Sequence, residues 1–261
     1  NYTCRGVALK AMLEHNRIIL ALTIIALIAI ISAVLLLPPY LLQQSNSHIT
    51  VNPSSNNWPM FHYDLNHTGY STSVAPVTPN LLWNYTTDFI PPSNPTREGI
   101  PSSPIIADGY LYIGTEYGNV YCLNASSGER VWSYSTGATV NPSAAVAGGY
   151  VYVASRLVYC LDALTGSMVW TFTPSTEIFY ASPAVANGFL YIEDWHGKIY
   201  CLNALTGSEK WNYQTYGYCL SSPAVVDGFV YVGSGDGNVN CLNADTGTKI
   251  WSFMTGAEKP S

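Results

Sequence analysis

Apolar and polar positions along the chain follow two unlike patterns. From Ile18 to Leu37 there are 20 residues with no charge and only Thr23 and Ser32 polar. As a helix rising about 1.5 Å per residue, that run is about 30 Å long, the thickness of a bilayer's hydrocarbon core. From about residue 103 onward, short apolar runs such as Phe229-Val230-Tyr231-Val232 alternate with tracts of Gly, Asn, Asp, Ser and Thr. Those runs predict β-strands. Asp227-Gly228, Asn187-Gly188 and Ala147-Gly148-Gly149 read as hairpin turns, because Gly, Asn and Asp tolerate the positive φ such turns need. Gly235-Asp236-Gly237 and Glu116-Tyr117-Gly118 close a second hairpin, and Asn243-Ala244-Asp245-Thr246-Gly247 a third. Four antiparallel strands per unit result. Strands apolar on both faces suit a sheet packed between two others.

The units repeat. Trp132, Trp170, Trp211 and Trp251 are spaced by 38, 41 and 40 residues, and Gly128, Gly166, Gly207 and Gly247 keep the same spacings, as do Cys122, Cys160, Cys201 and Cys241. The predicted units cover about 103–134, 143–172, 182–213 and 222–253. Trp83-Asn84-Tyr85 matches the last strand of a unit, like Trp132-Ser133-Tyr134, without the three strands before it. The tracts Leu123-Asn124-Ala125-Ser126-Ser127-Gly128 with Trp132 and Leu161-Asp162-Ala163-Leu164-Thr165-Gly166 with Trp170, repeated up to Trp211 and Trp251, resemble the PQQ-like repeat family of β-propellers. That family includes quinoprotein-type and outer-membrane-assembly propellers. The lead-in from Trp58 to Ser71 is similar to the segment before the first blade in that family. The resemblance implies an all-β propeller of four-stranded antiparallel blades over 58–261, with the repeat Trp residues packed between blades. Four complete blades plus an orphan outer strand imply part of a seven- or eight-bladed ring, truncated at its C-terminal end, with Trp251 facing the missing blade. A closed four-bladed ring is the competing reading.

Composition narrows the class. The chain is 48% hydrophobic, 13% aromatic and only 10% charged, with net charge −6. Such a chain builds a packed core and lacks the basic excess that nucleic-acid binding needs. Residues 1–17 carry Arg5, Lys10 and Arg17 against Glu14, whereas everything after residue 37 is acidic on balance. The positive-inside rule then places 1–17 in the cytoplasm and the propeller on the extracytoplasmic side of a single-pass membrane protein. Residues 18–37 are longer than the roughly 7–15 apolar residues of a cleaved signal peptide, so a retained transmembrane signal-anchor helix is expected. The Ser/Asn-rich stretch to residue 57 reads as a flexible stalk over 38–57. No Cys follows the apolar run at once, which argues against a lipoprotein anchor.

Candidate chemistry is sparse. The four repeat cysteines occupy the same place in successive units, too far apart for the roughly 4.4–6.8 Å Cα separation of a disulfide, and read as small buried apolar residues. Cys219 precedes an inner strand with no predictable partner. Glu193-Asp194-Trp195-His196 replaces the small residues found at the matching loop of the last unit. Its plain reading is a decorated solvent turn, and its functional reading is a ligand or partner contact. Thr86 to Pro101, with Pro91, Pro92, Pro95 and Pro101, lengthens one interval to 49 residues and suggests a stiff rim loop. Asn66, Asn84 and Asn124 begin N-glycosylation sequons.

The functional expectation is a non-enzymatic, membrane-tethered binding or scaffold propeller with a protein or envelope partner, no nucleic-acid partner and no cofactor. The alternatives are a fragment of a PQQ-dependent quinoprotein dehydrogenase, in which case PQQ and calcium enter, and the sensor ectodomain of a membrane receptor.

Overall fold

The computed structural model describes residues 57–65, 67, 80–87, 99–175 and 179–256. Among them no helix is long and apolar enough to cross a membrane, and the predicted anchor at 18–37 and stalk lie outside them.

Sixteen strands form four sheets. The first holds β1 (Ile105–Ala107), β2 (Tyr110–Gly114), β3 (Asn119–Asn124) and β4 (Arg130–Ser135). The second holds β5 (Ala145–Ala147), β6 (Tyr150–Ala154), β7 (Val158–Asp162) and β8 (Met168–Phe172). The third holds β9 (Ala184–Ala186), β10 (Phe189–Glu193), β11 (Lys198–Asn203) and β12 (Glu209–Gln214). The fourth holds β13 (Ala224–Val226), β14 (Phe229–Gly233), β15 (Asn238–Asn243) and β16 (Lys249–Met254). Each is an antiparallel meander in chain order, and the short innermost strands lie side by side, β1 next to β5, β5 next to β9 and β9 next to β13.

Local chemistry explains the meander. Asp108-Gly109, Gly148-Gly149, Asn187-Gly188 and Asp227-Gly228 all have positive φ at both residues, the turn whose twist matches its strands. In the outer hairpin, Asn124, Asp162, Asn203 and Asn243 each accept two backbone N–H groups of their own turn through the side-chain oxygen. The glycine that ends this turn is required twice. Gly128, Gly166, Gly207 and Gly247 have φ of 71–73°, and a Cβ on any of them would lie within 2.5–2.6 Å of a Trp ring from the preceding unit.

Those rings hold the blades together. Trp132, Trp170 and Trp211 are each 8% exposed and donate their indole N–H to the carbonyls of Ala163, Ala204 and Ala244 at 2.9–3.0 Å. Across the sheet each pairs with Cys122, Cys160 or Cys201, at the point where a bulge shifts the register. A small residue is needed beside so large a ring. The five described cysteines are buried free thiols.

The two ends of the arc differ. At the first blade, Trp83 stacks on Gly128 and donates to the Ala125 carbonyl at 3.0 Å, copying the inter-blade contact. Residues 80–87 are therefore docked in the place of an outer strand, though without strand pairing among the described residues. At the fourth blade, Trp251 is 44% exposed, with Ile250, Phe253 and Met254 exposed beside it. Gly128 is met by Trp83 and not by Trp251, so the four blades do not close on one another. The lead-in crosses the innermost edges: Trp58 pairs with Ile106, the Pro59 carbonyl accepts from Val146 and the Leu65 carbonyl from Val225.

Candidate functional site

One rim departs from the repeat. Strand 2 of each blade ends on Gly114, Ala154 or Gly233, except in the third blade, where it ends on Glu193. The position is tight. A Cβ on Gly114 would fall 2.3 Å from a methyl of Val140, five residues beyond the end of β4. Five residues beyond the end of β12 stands Cys219, which leaves room for the Glu193 side chain.

The expectation of a solvent turn is overturned for both carboxylates, because Glu193 and Asp194 are fully buried. The cause is the loop between β12 and β13, which folds down over them. Glu193 faces the Thr215 hydroxyl at 3.5 Å and the Ser221 hydroxyl at 3.4 Å, with the Cys219 thiol alongside. Burial pushes its carboxyl from 4.5 up to about 7, aided by the Asp194 charge and opposed by contacts with Cys219, Ser221 and Thr215. Burial likewise raises the Cys219 thiol to about 11. Asp194 is a turn cap: it accepts the N–H groups of His196 and Lys198 at 3.0 and 2.9 Å and the Tyr200 hydroxyl at 3.1 Å.

Above this polar cluster lies an aromatic surface. Trp195, half-buried, stacks on Tyr218 at 4.8 Å between centroids and meets Tyr180 at 5.0 Å. His196 is exposed, 6.3 Å from the Tyr218 ring, and Tyr216 and Leu220 extend the exposed patch. The surface is pinned from two sides. The Cys219 N–H donates to the Trp195 carbonyl, the Tyr216 carbonyl accepts from Asp236 N–H and the Ser234 hydroxyl, and Gln214 donates to the His196 carbonyl. Of the four residues singled out from sequence, Trp195 and His196 thus reach the surface and Glu193 and Asp194 support it. Tyr180, Tyr216, Tyr218, Thr215 and Ser221 were missed. Tyr216-Gly217-Tyr218-Cys219-Leu220 replacing Gly137-Ala138-Thr139-Val140-Asn141 was the available signal.

Other predicted positions are scattered. Asn84 is exposed, Asn124 spends its side-chain oxygen on its own turn, and Asn66 lies outside the described residues. Most of the proline-rich loop also lies outside them. A concavity of about 450 Å³, lined by Trp58, Phe61, His62, Ser103, Pro104 and Ile106, sits against the first blade's inner edge. His62 and Tyr63 hold positive φ beside it.

Four meandering sheets joined by Trp-on-Gly stacking make this chain a β-propeller of PQQ-like repeats. The chain belongs to the family described as outer membrane protein assembly factor BamB, whose family model matches residues 71–156 and 154–261. It is similar to the 1-butanol dehydrogenase (cytochrome c) of Thauera butanivorans, 31% identical over 119 residues, which are 39% of this chain and 16% of that protein. It is also similar to the quinohemoprotein alcohol dehydrogenase of Comamonas testosteroni, 27% identical over 115 residues, 38% of this chain and 15% of that protein. Among solved structures, the quinohemoprotein alcohol dehydrogenase ADHIIG from Pseudomonas putida HK5 superimposes with a TM-score of 0.67 at 20% identity, covering 81% of this chain and 43% of that one. At that identity the likeness shows the fold. The chain spans about one sixth of the curated relatives' length and less than half of the solved one.

Proposed function

We propose that this chain is a membrane-tethered, extracytoplasmic scaffold propeller that binds a protein partner of the cell envelope through the rim between its third and fourth blades. The observation that carries the reading is the concentration of exposed Tyr180, Tyr216 and Tyr218 around half-buried Trp195 on a pinned loop pair, where the first blade has Glu116, Tyr117 and Thr139. Trp and Tyr are the residues that most often anchor protein interfaces. Family membership supports a partner in envelope assembly. The uncharged run from Ile18 to Leu37 supplies the tether. The test is a matched pair of photo-crosslinkers in cells, one at Tyr218 and one at Thr139, its counterpart in the first gap. Adducts with an envelope protein from position 218 and none from 139 are expected. Equal labelling from both positions contradicts the reading.

A quinoprotein dehydrogenase is the second reading, favoured by the 31% identity to the Thauera enzyme. Calcium there would require several oxygen ligands. The inner strands carry only Ile, Ala and Val, and among the described residues no three His, Cys, Asp or Glu side chains cluster to hold a metal. The residues lining the inner edges do not fit that group. Calcium-dependent dye reduction with alcohols after adding PQQ would reverse the order of the two readings.

A further inference from the structure

Glu193 occupies a place that the other three blades give to Gly or Ala, and its surroundings are unusual for a carboxylate. A hydroxyl has one proton to give. The Ser221 hydroxyl lies 3.0 Å from the Gly233 carbonyl and accepts the Gly233 N–H at 2.9 Å, so its proton is committed to that carbonyl. The Thr215 hydroxyl is committed in the same way to the Gly197 carbonyl at 2.8 Å. Both therefore reach the Glu193 carboxyl only as long, divided donors, at 3.5 Å from Thr215 and 3.4 Å from Ser221, while their shorter bonds go to the backbone carbonyls. A buried carboxylate is thus left with those two long contacts and the weakly polar Cys219 S–H, too little to replace the water that burial removes.

The charged and titratable groups around it do not relieve this. From its own hairpin comes Asp194, a like charge already spent on its turn and on Tyr200. From the β12–β13 loop come Cys219, Thr215 and Ser221, and from β14 the Gly233 backbone. Lys198 places its ammonium over the Tyr200 ring, 5.2 Å from the centroid, and His196 points to solvent. None of the groups facing Glu193 carries positive charge.

The same loop carries the aromatic surface. Thr215 and Cys219 lie against Glu193, while Tyr216 and Tyr218, between them in sequence, form the rim. We propose that Glu193 is a proton-operated latch: protonated, it keeps the 215–221 loop shut and Trp195 stacked on Tyr218, and ionised, it releases the loop and remodels the rim. The carboxyl's titration near 7 puts the transition in a physiological range. The consequence for binding rests on the rim being the contact surface, but the latch itself is read without any partner. Failure of the crosslinking comparison would therefore remove the docking reading and leave the latch untouched.

The test is hydrogen exchange on the full chain in detergent, following peptides over 215–221 and corrected for the intrinsic pH effect. A carboxyl titrating at about 7 when shut and 4.5 when open predicts about 30-fold less protection at about pH 8.5 than at about pH 5.5. Glu193→Gln keeps the loop protected at both. Protection that is independent of pH in the unaltered chain, or an equal loss in Glu193→Gln, overturns the latch. Should that variant not fold, carboxyl carbon resonances of the unaltered chain decide it: a Glu193 midpoint near 7 shared with Trp195 emission supports it, and an ordinary carboxylate midpoint overturns it.

Discussion

The gap between the first and second blades and the gap between the third and fourth share one backbone plan and are filled in opposite ways. In the first, Gly114 ends strand 2 and the Val140 side chain packs down on it, so the contact at that position is apolar. In the second, Glu193 takes the glycine's place and Cys219 the valine's, so a carboxyl and a thiol meet where the first gap has a hydrogen and a methyl, although both gaps carry threonine and serine hydroxyls. The dry gap has one low-energy filling and is purely structural. The polar gap keeps a carboxyl whose charged form burial disfavours, a cost the dry gap does not carry. Repetition thus makes the framework, and the proposed contact surface lies where repetition fails.

Transplanting the polar residue into the dry gap should have the largest effect. Gly114→Glu has to displace Val140 and bury an unpaired carboxyl, and should lower stability by about 4 kcal/mol or more in urea unfolding of the full chain. Adding Val140→Cys should restore part of it. Full tolerance of the single change would show that the gaps do not differ as described.

The next comparison contrasts covered and uncovered blade faces. Trp170→Ala removes a ring that fills the space over Gly207 and donates to Ala204, and should cost about 3–5 kcal/mol. Trp251→Ala, at a ring 44% exposed, should cost about 1 kcal/mol or less. Similar losses from the two, measured by shifts of the urea midpoint, would mean that something covers the fourth blade.

Much of the framework was legible from the chain. Strand runs, Asp-Gly and Asn-Gly turns and the Trp, Gly and Cys registers are local signals or exact repeats, and the four sheets fall on them. Trp83 was legible as an outer-strand residue because it copies a repeat position. The burial of Glu193 and Asp194 was not, because it depends on Thr215, Cys219 and Ser221, more than twenty residues away in the next loop. Lining up Gly114, Ala154 and Gly233 with Glu193 would have shown the position to be tight. The aromatic patch was hidden for a similar reason. Tyr180 and Tyr218 come from two connecting loops on either side of the third blade, and only the fold brings both to Trp195.

The most direct test of the specialised rim is the pH dependence of stability in the unaltered chain against Glu193→Ala, the residue that the second blade has there. Because the folded chain favours the protonated carboxyl, its contribution is complete below pH 4.5 and is lost as pH rises through about 7. The shift from 4.5 to about 7 corresponds to about 3 kcal/mol. His67, whose pKa is lowered chiefly by burial, changes stability in the opposite direction but equally in both proteins, so it cancels in the difference. The account predicts that the unaltered chain loses about 3 kcal/mol relative to Glu193→Ala between about pH 4.5 and pH 8. Parallel stability curves over that range would contradict it.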